Sequence, residues 1–331
     1  MKHPWPAGAA TGVGSMPGTD IAEALRVVLG ELPDLPHLPE LPARGAGADM
    51  IGRGATFLSE LPVEIQPSGW RLTARSGRDL RRAKDFLERD LDTLEAQAEG
   101  HAGTLKVQLV GPWTLAAGME LPSGHRVVTD HGAVRDLAAA LAEGLWAHLD
   151  DLARRLPEAS LVVQFDEPSI PAVLAGSVPT PSGWGTVRAV EPGVVEQTLR
   201  DVVTVVPEGA RAVHCCAADV PIALLRNAGA DALSLDASVL TGAHSDQLGE
   251  AVEAGISLWL GVVPAVDAAI SLDTAREPIL RLWRDLGFPD ERLGESVVPT
   301  PACGFAGAGP DYVRRALSVL RDTGRAISEM S

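Results

Sequence analysis

ARAVHCCAADVPIALLRNAGADALSLDA, residues 210–237, decides how the whole chain is read. ARAVHCC and DALSLDA are short apolar runs suited to buried strands, and VPIALLRNAG between them has helical spacing and stops at Gly229. Strand, helix and strand in that order form one unit of a parallel sheet. The same alternation extends in both directions. Strand-like runs lie at 10–15, 35–41, 105–111, 160–166, 210–216, 231–237, 257–263 and 295–301. Amphipathic segments follow them at 20–32, 78–99, 133–156, 193–206, 220–229, 244–255, 272–287 and 311–329, several opening at Asp or Ser and closing at Gly. Eight such units predict an α/β fold of the (β/α)8 TIM-barrel type, one domain over residues 1–331, rather than an open doubly wound sheet. GVGSMPG (12–18) lacks the spacing of a dinucleotide fingerprint, and no phosphate-loop lysine follows it. The stretches 42–76 and 168–192 read as irregular and follow strand ends, which puts them on the catalytic face as lids or substrate walls.

Composition narrows the chemistry. No apolar run reaches the ~20 residues that cross a bilayer, and the N-terminal stretch has no apolar core before a cleavage site, so a cytoplasmic protein is expected. The net charge of −16 disfavours nucleic acid and anionic lipid, leaving a small-molecule substrate or a protein partner. Three cysteines cannot form a closed disulfide set, and in a reducing compartment such a cluster points to metal binding or catalysis.

His214 and Cys216 lie two apart on a strand and face one way, while Cys215 faces the other and is expected to fill space among the helices. Cys303 follows the eighth predicted strand and Asp236 ends the sixth, so a barrel brings an imidazole, two thiols and a carboxylate to one rim. Ligation by N, S, S and O suits Zn2+. With two thiolates the ion is formally neutral, so a third thiolate from a substrate stays electron-rich, and the carboxylate is the ligand that can leave. Asp166, at the end of the fourth strand, and Asp236 are the candidate catalytic carboxylates.

These residues resemble the catalytic half of the cobalamin-independent methionine synthases, within the superfamily that also holds corrinoid-linked methyltransferases and uroporphyrinogen decarboxylase. That family's zinc set is a His-x-Cys, an acidic residue on the next strand and a Cys in a Pro-x-Cys-Gly turn, matched here by His214, Cys216, Asp236 and Cys303 in TPACG. GSMP (14–17), QFDEP (164–168) and GPWTL (111–115) resemble its other motifs. The resemblance implies that Gly14 and Ser15 hold the carboxylate of homocysteine and that Asp166 takes its ammonium. Glu40 matches an acidic substrate-binding residue of the family, and Trp113 is expected in the pocket wall. It implies a zinc-dependent methyltransferase that converts homocysteine to methionine, with a methyl-folate or a methyl-corrinoid protein as donor.

The sequence departs from that pattern in three ways. The family's acidic ligand is usually Glu, one methylene longer than Asp236. An ungapped match puts Pro264 and Val266 where the family has an Asp-x-His proton relay, with Asp267 nearby. A single barrel over residues 1–331 is expected to work without the folate-assisting N-terminal barrel of full-length synthases. Two other classes therefore stay open: a zinc thiol transferase acting on another thiol or electrophile, and a barrel that binds zinc or an amino acid without turnover. A decarboxylase-like lyase, which uses an arginine-rich cleft and no metal, does not explain the His-x-Cys and Cys set.

Overall fold

Six all-parallel strands form the sheet that positions the site in the computed structural model, which describes residues 3–75 and 77–330. A hairpin comes first in the chain, β1 (Val63–Gln66) paired antiparallel with β2 (Gly69–Leu72). The sheet follows as β3 (Thr104–Val110), β4 (Ser160–Asp166), β5 (Arg211–Cys215), β6 (Ala232–Asp236), β7 (Ser257–Val263) and β8 (Val297–Pro301), each beside the next in chain order. Helices cover the outside of the curled sheet, among them Arg78–Gln97, His131–Arg155, Leu272–Leu286 and Pro310–Ser328. Their starts follow from sequence: Asp130 accepts from the amides of Gly132 and Ala133, and Ser271 from that of Thr274.

The expected first and second strands, 10–15 and 35–41, are extended segments rather than regular strands. They still close the barrel through single bridges, Ser15 to Glu40 and His37 to Lys106. The amide of Thr11 donates to Pro299 O on β8, those of Glu40 and Met16 tie the two segments at Gly14 O and Glu40 O, and Leu38 N donates to Lys106 O on β3. Pro36, Pro39 and Pro42 have no amide to give, so the second segment cannot sustain a full ladder. The result is a TIM-barrel-like fold whose ladder is continuous on six strands and sparse on two.

Of the stretch 42–76, whose residue 76 lies outside the described residues, 42–75 is more ordered than the sequence suggested, holding the helix Met50–Ala55 and the β1–β2 hairpin. Likewise 168–192 contains the helix Ile170–Ala175 and a bridge from Pro179 to Thr186. Both lie after strand ends on the face that carries the site. One apolar cluster fills the space between sheet and helices, with Trp113, Phe165, Trp259 and Trp283 nearly or fully buried. A second, around Phe305 and Tyr312, seals the barrel where the first segment meets the helix Pro310–Ser328. No helix among the described residues is long and apolar enough to cross a membrane.

Candidate metal and substrate site

Register builds the site. Asp166 on β4 pairs with His214 on β5, and His214 with Ser234 on β6, so these three stand on one rung of the sheet. His214 is buried, its Nδ1 lies 2.9 Å from Ser234 Oγ, and its Nε2 is buried with no hydrogen-bond partner. Nδ1–H donation to Ser234 leaves the Nε2 lone pair facing inward, the arrangement of a metal-ligating imidazole supported from behind. Cys216 sits just past β5 and Cys303 just past β8, and their sulfurs are 3.5 Å apart. Ligand atoms of His214, Cys216 and Cys303 all lie within 4.8 Å of one another.

The two thiols are hydrogen-bonded to each other. Donation from Cys216 S–H, reinforced by the nearby His214, draws the Cys303 thiol down to about 4, and the same contact raises Cys216. An orphaned buried imidazole nitrogen beside two adjacent thiols is a donor set that fits zinc.

Asp236 stands outside this group. Its Oδ1 accepts the amide of Ser238 at 2.8 Å, an ordinary turn contact, and it is not among the ligand atoms gathered within 4.8 Å. That contact uses one carboxylate oxygen and leaves Oδ2 free. Cys215 packs in the core, its thiol pushed up to about 12 by burial, as a side chain facing away from the rim should be.

A cavity of about 230 Å³ opens against these three side chains. Gly14, Ser15, Glu40 and Asp166 line it together with His214, Cys216 and Cys303, so the residues read from sequence for a metal and for an amino acid share one space, with Met50 and Ala48 as apolar wall. Gly304 follows Cys303 in direct contact with Ser15, where a Cβ would collide with its hydroxyl, and Phe305 N donates to Ser15 O at 2.8 Å. That contact fixes the turn at Ser15 against the cysteine. Trp113 does not reach the cavity: it is fully buried and donates its Nε1–H to Val195 O at 2.9 Å, a core residue and not pocket wall.

Burial pushes the Asp166 carboxyl up to about 7; His214 counteracts this, Glu40 adds to it, and Lys106 and Gln164 oppose it. Two carboxylates that feel each other at one cavity favour a cation between them. Glu40 is held by Arg53 at 3.2 Å, and Arg53 also meets Asp90, which Arg44 grips through both oxygens at 2.7 Å. The insertion helix Met50–Ala55 is thereby pinned to the helix Arg78–Gln97 beneath it. Glu167 turns away from the cavity and accepts from Trp113 N, Thr114 N and Thr114 Oγ1 at the start of the helix Pro112–Gly118.

Sequence reasoning missed Lys106, Gln108 and Gln164, an interior polar group directly under the cavity. The signal was present: TLKVQLV and SLVVQFD are apolar strands interrupted by Lys and Gln at alternate, inward-facing positions. Where the family pattern has its relay, Pro264 O accepts from Tyr312 Oη at 2.7 Å, Val266 is exposed, and Asp267 accepts the amide of Gly309 at 2.7 Å.

Among solved structures the chain is similar in fold to a B12-independent methionine synthase from Shewanella sp. W3-18-1 in complex with selenomethionine, with TM-score 0.64, 13% identity and 98% of each chain covered. A beta-glucosidase from Thermotoga maritima in complex with cyclophellitol aligns over 99% of this chain and 98% of its own at 10% identity, but its TM-score of 0.32 supports no argument. No curated protein matches. The family model described as the cobalamin-independent synthase, catalytic domain, matches residues 8–326, and with that match the chain belongs to this family.

Proposed function

We propose that this barrel methylates the thiol of homocysteine to give methionine, with zinc held by His214, Cys216 and Cys303. The observation that supports it most is the single cavity that has three soft ligands at one side and Gly14, Ser15, Glu40 and Asp166 at the other. Zinc bound there would supply a thiolate nucleophile at neutral pH. The protein's own groups do the rest. Ser234 keeps the His214 ring in its tautomer. Gly14 and Ser15 hold the amino-acid carboxylate, and Asp166 with Glu40 takes the ammonium, which neutralises the repulsion between those two side chains. Holding both ends of a short substrate fixes its sulfur for in-line attack, where positioning lowers the barrier most. Asp236 is left out of the proposed ligand set because it is neither among the three clustered side chains nor in the cavity lining, so the fourth position is open to the substrate sulfur.

The family match favours a methylated tetrahydropteroylglutamate as donor and gives no support to a corrinoid protein. One observation favours a second reading of the donor. Asp267, the acid nearest the relay position after β7, is exposed, accepts the Gly309 amide and does not line the cavity, so a donor whose leaving group departs without a proton suits this loop better. The deciding experiment offers purified zinc-loaded protein homocysteine and a set of other thiols against methyl-folate and a methylated corrinoid. Methionine formed from homocysteine supports the proposal. Methylation confined to another thiol, or zinc-free protein with full activity, overturns it.

A further inference from the structure

Lys106 is fully buried inside the barrel on β3, and it makes no ion pair within 4 Å among the described residues. Its Nζ donates to three oxygens: Val13 O at 2.9 Å, Gln164 Oε1 at 2.9 Å and Gln108 Oε1 at 3.1 Å. Three donated bonds need three N–H groups, which only the ammonium has; burial draws the Lys106 pKa down to about 7 while Asp166 and Glu40 hold it up, so the cation is the form present from about neutral pH downward. A methionine or leucine would fill the same space without the several kcal/mol that desolvating an ammonium costs, so the charge has a use.

That use is visible in what the three oxygens belong to. Val13 directly precedes Gly14 and Ser15. Gln164 gives its other end to the site, its Nε2 donating to Asp166 Oδ1 at 2.6 Å and to Val13 O at 2.8 Å. An amide can rotate by half a turn and present its oxygen instead of its NH2, and an oxygen facing the Asp166 carboxylate would repel it. Lys106 can only donate, so it fixes the Gln164 oxygen on its own side and the NH2 on the side of Asp166. Gln108 completes the platform, donating to Leu38 O at 2.7 Å on the segment that carries Glu40. Every element that lines the amino-acid end of the cavity is therefore tied to one ammonium that does not itself reach the cavity.

Resting on the homocysteine reading above, we propose that Lys106 is a positioning residue that sets the amino-acid end of the site, through Val13 O for the Gly14–Ser15 turn and through Gln164 for Asp166. It selects amino-acid thiols over plain alkyl thiols without touching either. The test uses zinc-loaded protein and calorimetric titration with two probes: homocysteine, and propanethiol, which has the sulfur but neither charged group. Lys106→Met is expected to weaken homocysteine binding roughly 10- to 100-fold, the range of lost charge-assisted hydrogen bonds, with propanethiol binding and zinc content unchanged. In turnover, KM for homocysteine rises more than kcat falls. Gln164→Met breaks the same link while leaving the lysine in place; it is expected to show the same selective loss and serves if Lys106→Met does not fold. Equal weakening of both thiols, or homocysteine bound as tightly as by wild type, overturns the inference alone. Wild-type protein that takes propanethiol but not homocysteine overturns the homocysteine reading and this inference with it.

Discussion

Cys216 Sγ and Cys303 Sγ stand 3.5 Å apart although 87 positions separate them in the chain. Barrel closure is what joins them, since β5 and β8 are not neighbours in the sheet and meet only across its mouth. Because Asp236 is held at Ser238 while the two sulfurs and His214 converge, the ligands differ in weight. Cys303→Ser is expected to lower zinc affinity by more than roughly 100-fold, beyond the loss caused by removing a supporting partner, and Asp236→Ala by less than about 10-fold. Competition with a chelating dye measures both; equal losses would return Asp236 to the ligand set.

Ser234 should act through His214. Its hydroxyl lies 2.9 Å from Nδ1, so Ser234→Ala leaves the ring free to adopt the other tautomer. A roughly 10-fold loss of zinc affinity is expected, with little change in melting temperature. An affinity equal to wild type would show that packing alone orients the ring.

Acid should weaken the fold through His37. This histidine is buried, its Nδ1 is unpartnered, and burial together with the nearby Lys106 cation holds its pKa well below 6.5. The folded chain keeps it neutral while the unfolded chain takes up a proton below pH 6.5. Its contribution is thus complete well above that pH and declines as pH falls, by about 1 kcal/mol between pH 6.5 and 5.5 and about 1.4 kcal/mol per further unit until the folded pKa is reached. Urea unfolding at pH 6.5 and 5.5 should show this drop in wild type and a smaller one in His37→Asn; identical slopes would exclude His37 as the source.

Two glycines in helices should respond to alanine with opposite sign. Gly249, in the helix Ser245–Glu253, has open space where a Cβ would go, so Gly249→Ala is expected to stabilise by ~0.5–1 kcal/mol. Gly144, in the helix His131–Arg155, lies against the Phe57 carbonyl, and a Cβ there would overlap backbone atoms. Gly144→Ala is expected to destabilise by ~1–3 kcal/mol. Thermal unfolding of the two variants decides it, and a stabilised Gly144→Ala would mean that the 56–58 turn yields easily.

Much of this was legible in the sequence, for physical reasons that can be named. The strands β3 to β8 announce themselves because both their faces are covered, leaving Val- and Leu-rich runs, and the long helices because their caps and apolar stripes agree. The first two barrel segments were placed correctly but are not ladder-forming strands, since prolines 36, 39 and 42 remove the amides that would pair. The β1–β2 hairpin escaped notice although Pro67–Ser68 sits between VEIQ and GWRL as a two-residue turn. At the site, His214, Cys216 and Cys303 could be read from alternation and strand ends. The contact of Asp236 with the Ser238 amide could not, because it belongs to a local turn after the strand. Arg53 and Lys106 were hidden for a different reason: their partners come from segments far away in the chain, and only the closed barrel brings them together.

The most direct test of the account is zinc X-ray absorption on purified protein before and after homocysteine is added. The expected result is about one zinc per chain, coordinated by one nitrogen and two sulfurs plus a light atom, with a third sulfur appearing on addition of homocysteine. A protein that binds no zinc, or whose zinc keeps two sulfurs in saturating homocysteine, would contradict it.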